Sequence, residues 1–167
     1  ASVLTKIYVM DADGKNLKRL TASNQNEFKP IWSPDGRWIA YTTWSHARGG
    51  HIYKMRSDGK GKPRQLTDIE AFYTDLAFSP DGSTIVAMRG NEFLRNQTFS
   101  EFGGLRIPLE LISLPAKGGE QTVIKALDSG RYPHFGPEAD RVYLTGDDGL
   151  FSLRSEEHTS ELQSPMY

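Results

Sequence analysis

Short apolar runs recur along the chain and alternate with polar turns, and no window keeps the periodicity of a helix. The runs are four or five residues long and rich in Ile, Val, Tyr and Trp, as in Ile7–Met10, Trp38–Tyr41 and Ile85–Met88. Runs of this length and composition are typical of half-buried strands. The pattern therefore predicts an all-β chain of many short strands.

The strands belong to a repeated unit. An apolar run, an Asp-Gly turn, a Leu-Thr pair and a Ser-Pro-Asp-Gly turn occur twice, and the two Ser-Pro-Asp-Gly turns begin 46 residues apart, at Ser33 and Ser79. More diverged copies begin at Leu111 and Gly149. Asp-Gly suits tight hairpins and Pro-Asp-Gly suits a type I turn, so each unit provides four antiparallel strands. Such a unit is the signature of a propeller blade.

The segments IYVMDADGKNLKRLT and PIWSPDGRWIAY closely resemble the repeats of TolB-like (PD40, WD40-like) β-propellers, and the resemblance covers Lys6 to Leu153. It is specific for the fold and weak for function, because these repeats occur in translocation proteins, in peptidases and in amidohydrolase-family proteins. The segments GGHIYKMRSDGKGKPRQLT and GRYPHFGPEADRVYL are most similar to the N-terminal propeller of the amidohydrolase-family proteins. The resemblance implies a periplasmic or secreted location.

In such propellers the strand before the Ser-Pro-Asp-Gly turn is innermost, and strands A to D follow outward. The predicted strands are 28–33, 37–44, 51–56 and 62–67, then 74–79, 83–89, 110–114 and 121–125, then 132–136, 141–146 and 149–153. Segments 6–11 and 18–21 are predicted as strands C and D of a preceding blade. The expected fold is an all-β, incomplete β-propeller of about three four-stranded antiparallel blades in an open arc.

The last residues depart from the repeat, because Glu156-Glu157 stands where an Asp-Gly turn is expected. The string RSEEHTSELQS, from Arg154 to Ser164, matches a sequencing-adapter oligonucleotide translated in one frame. We therefore expect residues 1–153 to be a partial TolB-like propeller and residues 154–167 to be a non-native tail. A natural polar helix is the alternative. The rest of the propeller and any downstream domain are expected to follow residue 153 in a longer parent protein.

Composition limits the partners. The net charge of −1 predicts no strong attraction to nucleic acid or membrane, and the hydrophobic and charged fractions of 37% and 25% suit a globular protein. The chain has no cysteine, which excludes disulfides and thiolate metal sites. No apolar stretch has the length of a membrane span.

Candidate binding residues come from the predicted channel mouth and the loops. Lys29, Tyr73, Arg131 and His134 are nominated for contacts to a peptide, a partner or a substrate. For His134 the alternative is a histidine whose ring is bonded by the backbone of a neighbouring blade.

Two further histidines, His46 and His51, are candidate binding residues in the segment SHARGGHIY. This segment is the loop between the predicted strands 37–44 and 51–56. No third metal ligand accompanies them, so a metal site is not predicted, and surface packing is their alternative role. The long insertion 90–108 is either a binding or docking loop or a β-extension packed on its neighbours. Asp35 and Asp81 are interpreted as structural because they lie in repeated turns.

No catalytic residue and no cofactor are predicted, since the chain contains neither a Gly-x-Ser-x-Gly elbow nor a His-x-His pair. Two functions follow from the resemblance. The chain is either an accessory binding or gating domain of a larger bacterial, amidohydrolase-like hydrolase, or a protein-interaction module without activity. Expected partners are the remaining blades and a downstream catalytic domain of the parent chain, or another protein. Neither nucleic-acid binding nor membrane insertion is expected.

Overall fold

The computed structural model describes residues 4–45, 47–91, 108–127, 131–146 and 149–154. Within these ranges the regular structure is all strand, which confirms the predicted fold class. The described residues contain no helix of the length and apolarity needed to cross a membrane.

Thirteen strands are present in the described ranges. They are β1 Tyr8–Val9, β2 Lys18–Arg19, β3 Asn26–Trp32, β4 Trp38–Trp44, β5 Ile52–Arg56, β6 Arg64–Gln65, β7 Phe72–Phe78, β8 Thr84–Gly90, β9 Leu109–Pro115, β10 Thr122–Leu127, β11 Arg131–Phe135, β12 Arg141–Gly146 and β13 Gly149–Arg154.

The strands form four antiparallel sheets that follow chain order. The pair β1-β2 is the N-terminal half-blade. Blade 1 has the order β3-β4-β5-β6, blade 2 has β7-β8-β9-β10, and blade 3 has β11-β12-β13. Each blade is thus a meander, and the described residues make an incomplete, open propeller.

Every predicted strand bound lies within two residues of the observed one. The innermost strands β3 and β7 begin two residues earlier than predicted, at Asn26 and Phe72. The early start of β3 is explained by Glu27. A charged residue at this position predicts a loop, but Glu27 is only 2% exposed in the structure. Its burial depends on a cation from the half-blade, which local patterning does not reveal.

Apolar side chains form one layer between each pair of neighbouring sheets. Consecutive residues of β8 point to opposite faces, so Ile85 packs toward blade 1 and Val86 toward blade 3. Blade 2 is therefore buried on both faces. The three layers contain Ile7, Ile39, Tyr41 and Met55; Ala40, Ile52, Leu66, Leu76, Ile85 and Ile112; and Val86, Met88, Leu111, Val142, Leu144 and Leu153.

The Ser-Pro-Asp-Gly turns close the hairpins between the two innermost strands of blades 1 and 2. Ser79 Oγ donates to Asp81 Oδ1 at 2.5 Å and accepts from the Thr84 N–H at 3.0 Å, and Asp81 Oδ1 also accepts from the Ser83 N–H at 3.0 Å. Asp35 makes the equivalent bonds in blade 1. Both aspartates are therefore structural, as the repeat indicated.

Because of the aspartates in these turns, we expect the free energy of unfolding to fall in acid. The bonds from Ser79 and from the Ser83 N–H lower the pKa of Asp81 from 3.8 to about 2, and the bond from Ser33 lowers the pKa of Asp35. A lowered carboxyl pKa contributes stability above 3.8 that is lost as the pH falls toward 2. We expect the free energy of unfolding of the Asp35→Asn/Asp81→Asn variant to fall less steeply across this window than that of the wild type.

Urea unfolding at several pH values across this window measures the difference. Asp68→Asn, at an exposed residue outside the turns, is the control and should keep the wild-type slope. Equal slopes for the wild type and the double variant would contradict the prediction.

A backbone bridge joins the loop between β4 and β5 of blade 1 to the start of β7 in blade 2. The Gly50 N–H donates to the Ala71 carbonyl at 3.0 Å, and the Ala71 N–H donates to the Gly50 carbonyl at 3.1 Å. Gly50 lies in the loop between β4 and β5, and Ala71 directly precedes β7. The bridge therefore fixes the start of the innermost strand of blade 2 against the neighbouring blade.

Candidate functional site

The innermost strands of the three blades share an unusual backbone feature. Lys29, Asp75 and Tyr132 have φ angles of 50°, 49° and 57°, in the left-handed region that non-glycine residues rarely adopt. Each lies in a register shift between its strand and the next, after Phe28, Thr74 and Arg131 respectively. The three residues therefore hold equivalent positions in a repeated β-bulge.

Repeated bulges of this kind re-aim side chains and bend the strand. A left-handed non-glycine residue costs about 1–3 kcal/mol and persists only where the surrounding structure enforces it. Such strain is concentrated at ligand-binding positions in many proteins. Its recurrence in three innermost strands directs attention to the space that these strands enclose.

That space is a cleft of about 380 Å³. Its volume is in the range of small-ligand sites. All three left-handed residues line it, together with neighbours from the same strands. The full lining is Lys29, Pro30, Ile31, Asp75, Leu76, Tyr132, Pro133 and His134.

One ion pair crosses the cleft between blades 1 and 2. Lys29 Nζ lies 3.4 Å from Asp75 Oδ1, and the Asp75 side chain is 6% exposed while that of Lys29 is 55% exposed. Asp75 Oδ1 also accepts from Thr74 Oγ1 at 3.2 Å. The buried carboxylate is thus held by two donors, while the flexible ammonium group of Lys29 keeps donors available to a ligand.

On the side of blade 3 the cleft carries an imidazole and a phenol ring. His134 Nδ1 lies 3.1 Å from the Tyr132 carbonyl oxygen, and the His134 ring stacks on Tyr143 with centroids 5.8 Å apart. Because a carbonyl oxygen only accepts, Nδ1 carries the proton and Nε2 is left for a ligand. The Tyr132 side chain is mostly exposed and offers an aromatic face.

The structure brings together two of the predicted channel residues, Lys29 and His134. Tyr73 lies elsewhere, which corrects the expectation for this residue. It is 2% exposed, and its hydroxyl donates to the Ile69 carbonyl at 2.8 Å and bonds Gln121 Oε1 at 2.9 Å. Its place directly before Thr74 in the bulged strand turns the side chain into the core rather than toward the cleft.

Arg131 and His51 are not among the described residues that line the cleft. Arg131 is half-buried at the start of β11, opposite Thr145. His51 is half-buried, with Nδ1 3.2 Å from Thr67 Oγ1, so it packs within blade 1. His46 and nearly all of the insertion 90–108 lie outside the described residues.

Sequence reasoning missed Asp75 and Tyr132. Asp75 stands 46 residues after Lys29, the same offset that relates Ser79 to Ser33, so the repeat itself could have identified it. The repeat does not identify Tyr132, because the insertion 90–108 lies between Asp75 and Tyr132 and lengthens the spacing beyond 46 residues. Its equivalence becomes visible only through the shared bulge.

The cleft carries several groups that can bind a ligand. Its lining contains a cation, a carboxylate, an imidazole and an aromatic ring over an apolar floor, and none of these residues is Ser, Thr or Cys. Among the residues that the structure describes, no group of three or more His, Asp or Glu is placed to hold a metal ion. This combination suits recognition of a mixed polar and apolar ligand.

The meandering blades, with innermost strands around a cleft, define a β-propeller. The family model of the TolB β-propeller domain (PD40) matches residues 2–102, and the chain belongs to this family.

Similar proteins carry this propeller in different settings. The chain is 40% identical over 58 residues to the Tol-Pal system protein TolB of Thioalkalivibrio sulfidiphilus, and 35% identical over 66 residues to a Bacillus subtilis protein named uncharacterized peptidase YuxL. These matches cover 35% and 40% of the chain, but only 13% and 10% of the relatives.

Solved structures show the same fold. TolB from Acinetobacter baumannii matches with a TM-score of 0.67 at 17% identity over 92% of the chain and 36% of that protein. A puromycin-hydrolyzing peptidase of Mycobacterium tuberculosis matches with a TM-score of 0.70 at 16% identity over 96% of the chain and 26% of the peptidase. The chain thus corresponds to a part of each of these longer proteins.

Proposed function

We propose that the chain is a non-catalytic propeller segment of a larger bacterial hydrolase, where its inner cleft binds or filters extended substrates before they reach a separate catalytic domain. The observation that carries the proposal is the convergence of three strained bulges on a cleft lined by binding groups and without Ser, Thr or Cys. An amidohydrolase-type parent, in the periplasm or secreted, is the finer form of this proposal.

The chemistry of the cleft favours a peptide-like ligand with a carboxylate. Lys29 provides the cation, Tyr132 an aromatic face, and Ile31 and Leu76 an apolar floor. Peptidases occur among the proteins of similar sequence and fold, which supports a hydrolytic parent.

Binding of short peptides tests the cleft. We expect an N-acetylated, fluorescently labelled tripeptide ending in Glu to bind the chain more tightly than its Gln and Lys counterparts. Lys29→Met should weaken binding of the Glu peptide by up to roughly fivefold, because a half-exposed ion pair contributes up to about 1 kcal/mol. Fluorescence anisotropy measures the affinities.

The matched control is Arg48→Met, which removes an exposed cation in the loop after β4, outside the lining of the cleft. It should leave the affinities unchanged. Equal weakening by both variants, or equal affinity for the three peptides, would exclude the cleft as the binding site.

The hydrolytic parent is tested separately by resequencing the gene from the codon of Leu153 onward. A downstream Gly-x-Ser-x-Gly or His-x-His motif supports a hydrolase, and an Asp-Gly turn in place of Glu156-Glu157 supports the adapter origin of residues 154–167. In the intact enzyme, Lys29→Met should raise KM for acidic peptides and leave kcat for a small ester unchanged.

A protein-interaction module of the TolB kind is the second candidate. The 40% identity over 58 residues to a TolB protein favours it. In that case the resequenced gene would contain further blades and no catalytic motif.

A further inference from the structure

Cations concentrate at the outer rim of the propeller, on the side of the C–D turns. Between Lys60 and Arg64 the chain reads KGKPR, and all five residues are exposed. Lys18, on the outermost strand of the half-blade, donates from Nζ to the Asp58 carbonyl at 3.2 Å, which places it beside the same turn. We call Lys18, Lys60, Lys62 and Arg64 the cationic ridge.

The ridge reaches across two blade boundaries. Lys18 comes from the half-blade, Lys60, Lys62 and Arg64 from blade 1, and the Arg64 guanidinium lies beside Gly118 in the corresponding turn of blade 2. Lys54 Nζ bonds the Ala116 carbonyl next to that turn. Burial first, and then the charge of Arg64, lowers the pKa of Lys54, while the Asp35 carboxylate acts in the opposite direction.

Two carboxylates near the ridge are already paired with other cations. Arg56 Nη2 lies 2.7 Å from Asp58 Oδ2, and Lys15 Nζ lies 2.7 Å from Asp13 Oδ2. By contrast, none of the four ridge cations has a carboxylate within ion-pair distance in the part of the chain that the structure describes. The ridge therefore presents net positive charge, although the whole chain has a net charge of −1.

We propose that the cationic ridge binds clustered phosphate groups, as on an anionic phospholipid surface or a free polyphosphate. Three lysine ammonium groups and one guanidinium fork are suited to phosphate oxygens. Projecting turns on one rim can approach a flat headgroup layer together, and each Lys or Arg near such a surface adds to the attraction. Lys54 Nζ lies over the Trp38 ring, 4.8 Å from its centroid, so one face of this ring is already occupied.

Lysines on short outer strands also protect sheet edges from pairing with other chains. That role needs charge but no ligand, so a binding measurement separates the two. We would measure co-sedimentation of the 167-residue chain with vesicles of phosphatidylcholine containing about a third phosphatidylglycerol, and competition by inorganic tripolyphosphate.

The test variant is Lys60→Gln/Lys62→Gln, and the matched control is Arg48→Gln/Lys125→Gln, which removes the same charge elsewhere. Since each ridge cation contributes about a factor of five to binding at an anionic surface, we expect roughly twenty-five-fold weaker vesicle binding for the test variant and little change for the control. Unchanged thermal melting of both variants checks the fold, because Lys60 and Lys62 are exposed.

Release from vesicles by tripolyphosphate would assign the recognition to phosphate itself, and binding that tripolyphosphate does not displace would assign it to the lipid surface. Both outcomes support the ridge. Equal binding to pure phosphatidylcholine, or equal losses in the two variants, would overturn it. Tighter binding to a single-stranded oligonucleotide than to either phosphate probe would also overturn it. None of these outcomes depends on the cleft.

Discussion

Replacing Gly50 by Ala is expected to lower the free energy of unfolding by about 3 kcal/mol or more. A Cβ at this position would overlap the Thr43 carbonyl oxygen and would lie 2.8 Å from its carbonyl carbon. Both atoms belong to the backbone of β4, a central strand of blade 1, and cannot move without breaking the ladder. The substitution also displaces the bridge between Gly50 and Ala71.

Gly61→Ala is the matched control. Gly61 has a φ of 80°, but an added Cβ would meet no atom within 4 Å. Its cost should be only the strain of a left-handed alanine, about 1–2 kcal/mol. Urea unfolding of the two variants measures the difference, and equal losses would contradict the clash, because Gly50 does not have a left-handed φ angle.

Glu27→Ala is expected to cost about 3–5 kcal/mol, because it removes one partner of a buried ion pair. Lys6 Nζ lies 3.8 Å from Glu27 Oε2, and the two side chains are 6% and 1% exposed. The carboxylate also accepts from Thr21 Oγ1 and, at 2.8 Å, from Ser23 Oγ. These bonds hold the half-blade against the innermost strand of blade 1.

The loss should fall in the lower part of that range, since Lys6 Nζ keeps bonds of 2.6 Å to the Ser23 and Gln25 carbonyls. A double-mutant cycle with Lys6→Met and Glu27→Leu separates the pair from its surroundings. We expect the double variant to be more stable than Glu27→Leu alone, because no unpaired buried charge remains. Strictly additive losses would contradict a coupled pair.

The repeat predicted the fold because its signals are local. Asp-Gly and Ser-Pro-Asp-Gly impose turns wherever they stand, and the apolar runs between them are too short for anything but strands. For this reason the strand order of every blade and the structural role of Asp35 and Asp81 follow from the sequence.

The candidate site was only half predictable. Lys29 and His134 could be placed near the channel because they stand on innermost strands. Asp75 also lines the cleft and Tyr73 does not, because each bulge shifts the alternation of side chains within the strand. A one-residue change of register reverses which side chains face the cleft, and no local composition marks the bulges at these positions.

The sequence by itself determined the blades of this protein, since turn chemistry and strand patterning act over a few residues. Only the tertiary structure decided which charges meet. Lys6 and Glu27 come together inside a blade junction, Lys29 and Asp75 meet across the cleft, and Lys18 bonds the Asp58 carbonyl at the rim. These pairs depend on how neighbouring blades pack against each other, and Coulomb interactions follow distance in space rather than distance along the chain.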